Sequence, residues 1–217
     1  MPFPFASFTE FTPVSSIGRF TFALFVHPAV PARSVAELVI HARANPGKLG
    51  YATGTIGEFM ATAQFTRATG VSMLRVPYKG GAQAMPDVVA GRVQVYITPI
   101  ALGLPYAKDG RLRLLATLSA QRSATAPAVP TITEAGVAGV SVPTWQGIVG
   151  PPGMPKDIVD RLHRGLAQAL QDPEVRAQFE RQSLEIEGSA PAAFTAVIRD
   201  DLGAWSQFVR DNEITAE

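Results

Sequence analysis

Between Val71 and Pro99 the chain reads VSMLRVPYKGGAQAMPDVVAGRVQVYITP, and its apolar positions change period along the way. Met73 to Val76 and Val93 to Ile97 are short apolar runs of strand type. They flank a turn at Gly80-Gly81 and a helical segment ending at Gly91. That succession predicts a strand, loop, helix, strand unit, the form that joins parallel strands by a right-handed crossover. The form recurs from Leu49 onward. Strands are predicted at Leu49 to Thr53, Met73 to Tyr78, Val93 to Thr98 and Arg111 to Leu118, with helices at about Glu58 to Thr69, Gln83 to Ala90 and Ile100 to Asp109. Gly70, Gly91 and Gly110 stand where helix-ending glycines belong. Successive βα units predict a parallel sheet. Pro86 and Pro105 each remove a helical hydrogen bond, so their helices should be short or start late.

Upstream, Phe20 to Val26 is an unbroken apolar run ended by His27-Pro28, which predicts a buried strand, while residues 1–19 show no clear period and predict an irregular lead-in. Ser34 with Glu37 forms a capping-box pattern for a helix burying Val35, Leu38, Val39 and Ala42 and ending at Asn45-Pro46-Gly47, with His41 on its solvated side. Downstream, Ser119 to Pro130 predicts an unpacked crossover between lobes, Thr133 to Gly136 a single helical turn, and Val140 to Val149 a strand interrupted by Pro143. Three amphipathic helices follow. The first starts at Pro155 or Lys156 with a stripe of Ile158, Val159, Leu162, Leu166, Ala169 and Leu170, and leaves His163 exposed. The second is capped by Asp172-Pro173 and buries Val175 and Phe179. The last carries Phe194, Val197, Ile198, Leu202, Trp205, Phe208 and Val209.

Composition narrows the partners. With 217 residues, 47% hydrophobic and 17% charged, the chain can bury a sizeable core. Its formal charge of +1, with no run of Lys or Arg, lacks the footprint of a nucleic-acid or anionic-membrane binder. No apolar run reaches the roughly 20 residues of a membrane span, so no direct membrane insertion is expected. The absence of cysteine excludes disulfides, thiolate catalysis and Cys-based metal sites. His27, His41 and His163 are isolated, and Walker A, Gly-x-Gly-x-x-Gly and Gly-x-Ser-x-Gly sequences are missing; no metal or other cofactor is expected and the chain reads as a non-enzyme. The start, Met1-Pro2-Phe3-Pro4-Phe5, has no charged n-region and is broken by proline, so no export signal is expected in this sequence.

The remaining chemistry lies in loops rich in Gly, Thr and Tyr at the carboxyl ends of the predicted strands: Thr53-Gly54-Thr55-Ile56-Gly57, Tyr78-Lys79-Gly80-Gly81 and Thr98-Pro99. Small residues let amides approach a ligand closely, and each loop opens onto a helix N-terminus whose unpaired N–H groups favour an anion. The loops read as a carboxylate site, with ordinary tight βα turns as the alternative. Lys79 is their only cation and reads equally as a ligand contact or a surface lysine.

Glu10-Phe11-Thr12-Pro13-Val14, Val26-His27-Pro28, Val35-Ala36-Glu37-Leu38, Asn45-Pro46-Gly47-Lys48-Leu49, Val76-Pro77-Tyr78-Lys79-Gly80, Glu134-Ala135-Gly136 and Asp172-Pro173-Glu174-Val175, in this order, resemble the Bug family, the TctC-like periplasmic substrate-binding receptors of tripartite tricarboxylate transporters. The resemblance implies an α/β, two-lobed periplasmic-binding-protein-like (type II) architecture with parallel-sheet lobes, closing on a small mono-, di- or tricarboxylate held by amides, hydroxyls and waters. It implies lobe 1 from residues 1–33 and 119–217, incomplete at the N-terminus, and lobe 2 from residues 34–118. Matched residue by residue, it places Thr53, Thr55, Gly57, Tyr78, Lys79, Gly80 and Gly81 at the ligand, Thr98 at the end of the next strand, and Trp145 as a cleft aromatic or as a core or hinge residue. Membrane transporter subunits are the implied partners, with a homo-oligomer as a way of completing lobe 1. The implied compartment is the periplasm, or the cytoplasm if this start without an export signal is genuine. Two alternatives stay open: a catalytic offshoot doing acid–base work through Tyr78, Lys79 or Asp87, and a non-binding truncated remnant.

Overall fold

The computed structural model describes residues 10–142 and 144–211. The elements begin with β1 (Thr12–Phe20), β2 (Phe22–Val26), α1 (Val35–Ala44), β3 (Gly50–Thr53), α2 (Ile56–Thr69), β4 (Leu74–Pro77), α3 (Gly81–Val89), β5 (Val95–Pro99), α4 (Ile100–Lys108) and β6 (Arg113–Thr117). They continue with β7 (Gln146–Gly150), α5 (Lys156–Ala169), α6 (Pro173–Arg181), β8 (Leu184–Ile186) and α7 (Pro191–Asp211). The chain divides into two compact units, one from residues 20–142 and one in which residues up to 19 join those from 143 on.

In the unit of residues 20–142, a five-stranded sheet has the order β4-β3-β5-β2-β6. β3 pairs in parallel with both β4 and β5, and β2 lies antiparallel between β5 and β6. The predicted βα repeat therefore builds strands that all point one way, and β2 enters among them in the opposite direction. All of β2 is buried, because a central strand needs apolar residues on both faces. This corrects the boundaries read from the sequence. The run at 20–26 signals a buried strand but does not say in which sheet, and the sheet it joins is that of the βα repeat.

The segment Ser119 to Pro130 is also corrected: it packs onto this unit instead of crossing unpacked, with Ser123 and Ala126 buried, Val129 against the core and the Pro130 carbonyl accepting from the Thr117 amide at 3.0 Å. The predicted turn is present. Thr131 Oγ1 accepts from the Glu134 amide, the Glu134 carboxylate accepts from the Thr131 amide, and Gly136 closes the turn in the left-handed region. Pro86 and Pro105 fall at the sixth position of nine-residue helices, so α3 and α4 are short but do not start late. His41 and His163, expected exposed, are half-buried.

In the other unit a three-stranded sheet has the order β7-β1-β8. β1 takes up Thr12 to Arg19 of the predicted irregular lead-in and Phe20 of the predicted strand; residues 1–9 of that lead-in lie outside the described residues. Register shifts between Pro13 and Ser15 and between Ser16 and Gly18 break its alternation, which is why TPVSSIGRF shows no period of two. Its buried serines are satisfied by neighbouring backbone, Ser15 Oγ donating to the Ser189 carbonyl and Ser16 Oγ to that of Glu187. β8 was not predicted; it is only three residues long. Phe194 and Ile198 of α7 are buried, but Ile158 and Leu162 of the α5 stripe remain 38% and 44% exposed, and α6 buries neither Val175 nor Phe179. Pro143 and the side chains of Phe208 and Val209 lie outside the described residues.

Candidate functional site

At the carboxyl end of β3 the chain turns through Gly54 and Thr55 into α2. Thr55 is the N-cap: its Oγ1 accepts from the Glu58 amide at 3.3 Å while Glu58 Oε2 accepts from the Thr55 amide at 3.0 Å. These reciprocal bonds satisfy two first-turn donors. Glu58 does more. Oε2 also accepts from the Gly54 amide at 2.6 Å, and Oε1 accepts from Tyr96 Oη and Thr98 Oγ1, each at 2.7 Å. The side chain is only 1% exposed. A buried carboxylate is tolerable when hydrogen bonds replace its hydration, and here four donors converge on it. Burial, reinforced by the Glu58 carboxylate, raises the pKa of Tyr96, so the phenol keeps its proton and acts as a donor.

Gly54 brings the first two loops together. A Cβ on Gly54 would stand 2.2 Å from the Gly80 carbonyl carbon and 2.5 Å from the Gly81 nitrogen, so only glycine allows the two backbones to touch. A Cβ on Gly81 would stand 2.7 Å from Glu58 Oε1, and the Gly81 carbonyl lies 2.9 Å from Tyr96 Oη. The two loops and the end of β5 thus meet around one carboxylate. Among the described residues, no acceptor pairs with the amides of Ile56 and Gly57 at the start of α2 or of Gly81 and Ala82 at the start of α3. Ile56 is 64% exposed beside them.

The predicted site residues separate into groups. Thr55, Gly57, Gly80 and Gly81 lie at the two open helix starts. Thr53 is buried and its hydroxyl accepts from Arg75 Nε at 3.1 Å, the Arg75 guanidinium lying 4.4 Å from the centre of the Phe59 ring. Thr98 is fully buried and gives its hydroxyl to Glu58, while the Ile100 amide behind it donates to the Thr21 carbonyl, so the third loop offers fewer free donors than the other two. Lys79 is exposed. Tyr78 Oη donates to Asp87 Oδ2 at 2.9 Å, and Asp87 Oδ1 accepts from Arg92 Nη1 at 2.7 Å. Burial and then Asp87 push the Tyr78 phenol up to about 12, and the Arg92 and Tyr78 hydrogen bonds hold Asp87 below the usual carboxylate range. This pair is tuned away from proton transfer near neutrality.

Trp145 belongs to the other unit. There it donates from Nε1 to the Asp201 carboxylate and meets the Phe194 ring edge-on at 5.1 Å. Burial raises the pKa of Asp201. Among the described residues, no group of His, Asp and Glu side chains is arranged to hold a metal ion.

Glu58 and Tyr96 escaped the sequence reading. The signal for Glu58 was present, since Thr55-x-x-Glu58 repeats the Ser34-x-x-Glu37 pattern, but the predicted helix began at Glu58 itself. Tyr96 gave no sign; within an apolar strand its hydroxyl reads as core.

A family model described as the tripartite tricarboxylate transporter family receptor matches residues 1–214. The chain belongs to this family. A protein encoded in the tcbD-tcbE intergenic region of Pseudomonas sp. (strain P51) is 31% identical over 98% of the chain, and BugT of Bordetella pertussis is 30% identical over 96%. The chain spans 64% of the length of each. Among solved structures, an R. palustris protein with adipate superimposes with a TM-score of 0.85 at 31% identity, covering 93% of this chain and 68% of that one. The periplasmic binding protein BugD gives 0.85 at 25% identity, covering 95% and 71%. The α/β periplasmic-binding-protein class read from the sequence is thus the observed one, with sheets that are mixed where parallel ones were expected.

Proposed function

We propose that this tripartite tricarboxylate transporter family receptor binds a small carboxylate through the backbone of loops 53–57 and 78–81 and presents it to membrane transporter subunits, with no catalytic step. The observation carrying this reading is the pair of touching loops whose open amides, at Ile56, Gly57, Gly81 and Ala82, begin two neighbouring helices. Helix-start amides are complementary to a carboxylate. The adipate bound by the related R. palustris protein supports the ligand class. Gly57, Gly80 and Gly81 are the first-choice contacts, Thr55 keeps only its hydroxyl proton for a ligand because its amide is committed to Glu58, and the exposed Lys79 adds a cation. Tyr78, Thr53 and Thr98 act from behind, because their hydroxyls already have protein partners. The periplasm is the proposed compartment, as for BugD.

The test is a panel of mono-, di- and tricarboxylates, adipate among them, screened by thermal shift and followed by calorimetry. A saturable upward shift for one class, weakened by Gly57→Pro, is the expected result. A flat response across the panel removes the proposal. Turnover of any panel member that Tyr78→Phe abolishes would instead favour the acid–base alternative.

A further inference from the structure

A helix start needs one oxygen of its capping-box glutamate. Glu58 receives three further donors: the Gly54 amide, and the hydroxyls of Tyr96 and Thr98 from β5. All of this happens at 1% exposure, one layer beneath the open amides. We propose that Glu58 is the positioning residue of the ligand loop: its carboxylate fills the inner anion place of the loop and so decides which amides remain for a ligand. This rests on the carboxylate-binding reading above.

The geometry divides the donors. Gly54 and Thr55 point their N–H groups inward to Oε2, so they are withdrawn from any bound anion, and Ile56 and Gly57 keep theirs free. The division is held from both sides. Gly54 cannot slide, because the Gly80 backbone already abuts it, and Oε1 is anchored to β5 through Tyr96 and Thr98. The Tyr96 hydroxyl, 2.9 Å from the Gly81 carbonyl, extends the same hub to the first turn of α3. The ligand therefore meets a loop already in shape and spends little binding free energy ordering it.

Two substitutions separate this role from plain support of the fold. In Glu58→Ala four donors, two of them the buried hydroxyls of Tyr96 and Thr98, lose their common acceptor. In Glu58→Gln the amide oxygen can still accept from Gly54 and Thr55, the amide nitrogen can donate to Thr98 and Tyr96, and the Tyr96 proton can turn to the Gly81 carbonyl. The neutral side chain also removes a negative charge that opposes an anion at the open amides.

The experiment is calorimetric titration with adipate, paired with deuterium exchange of residues 53–58 in the ligand-free protein, on wild type, Glu58→Ala and Glu58→Gln. Glu58→Ala is expected to weaken adipate binding about tenfold and to speed exchange at Gly54 and Thr55, with Glu58→Gln recovering most of both. The assignment is overturned if Glu58→Ala stays within about threefold of wild type, or if Glu58→Gln falls as far as Glu58→Ala. If wild type does not bind adipate, the titration uses the panel member with the largest thermal shift; if no member binds, the functional proposal fails and exchange decides the present one. Slow exchange lost in Glu58→Ala and kept in Glu58→Gln supports it; the same rate in all three overturns it. Should Glu58→Ala not fold, Thr98→Val removes one anchor without touching the backbone. Quicker exchange at Gly54 and Thr55 then supports the assignment, and unchanged exchange overturns it.

Discussion

In the unit of residues 20–142, all of β2 and β3 is buried, and α1 and α2 each bury several residues. In the other unit α6 buries none of its residues and α5 only Val159, although both helices carry well-formed apolar stripes. Ile148 and Val149 of β7 and Leu202 of α7 are exposed as well. An amphipathic pattern states which face of an element wants cover. Whether the cover exists is a property of the rest of the fold, and an uncovered stripe contributes little to stability.

The largest expected effect tests that contrast directly. Phe25→Ala, at a fully buried position of β2, should cost about 3–5 kcal/mol in urea unfolding, whereas Leu162→Ala should cost less than about 1 kcal/mol. Equal costs would mean that the α5 stripe is covered in solution. The serine double variant at Ile158 and Leu162 sharpens the point. It should reduce concentration-dependent association in light scattering if these residues seek a partner surface, a second copy included.

Caps, being local, should not distinguish the two units. Ser34→Ala at α1 and Asp172→Ala at α6 remove comparable N-cap bonds, and each should destabilise its own helix by about 1 kcal/mol, read from local amide exchange. A cap effect confined to one unit would show that the other helix end is held by tertiary contacts.

Titration gives a smaller effect confined to the residue 20–142 unit. The folded Tyr78 phenol titrates at about 12 against an ordinary value of 10.0, so the folded state keeps a proton that the unfolded chain loses. Its contribution is complete below about pH 10 and is lost as pH rises toward about 12. Tyr78→Phe should flatten part of that alkaline slope, the buried Tyr51 and Tyr96 supplying the rest. At the acid end Asp87, held low by Arg92 and Tyr78, contributes above its unfolded value and loses the contribution as pH falls through its folded one. The smallest effect is expected at the edge of the sheet. Leu74→Lys on β4, a strand whose outer side is exposed, should change stability by no more than about 0.5 kcal/mol while discouraging edge pairing between molecules.

Much of the fold was legible because its signals are local. The Ser34 and Asp172 caps and the turn closed by Gly136 rest on contacts within a few residues, and the βα repeat shows as an alternation of period along the chain. β1 was not legible, since its bulges erase the alternation that identifies strands, and β8 is too short to show a period. At the site, the loops and their glycines could be read, but the division of labour within them could not. Thr53, Thr55 and Thr98 look alike along the chain. Folded, Thr53 accepts from Arg75, Thr55 caps α2, and Thr98 anchors Glu58.

The sequence by itself determined the βα repeat, the helix starts at Ser34 and Asp172 and the glycine-lined loops at the carboxyl ends of the strands, because periodicity, capping and backbone freedom act over short stretches of chain. Only the tertiary structure decided which sheet β2 enters, that Gly54 meets Gly80, and that donors from the loop after β3 and from β5 converge on Glu58. Those outcomes depend on groups far apart in the chain, 40 positions for Glu58 and Thr98 and more than twice that for Ala23 and Thr117. Close packing and the need to satisfy a buried charge bring such groups together, and neither leaves a period in the sequence.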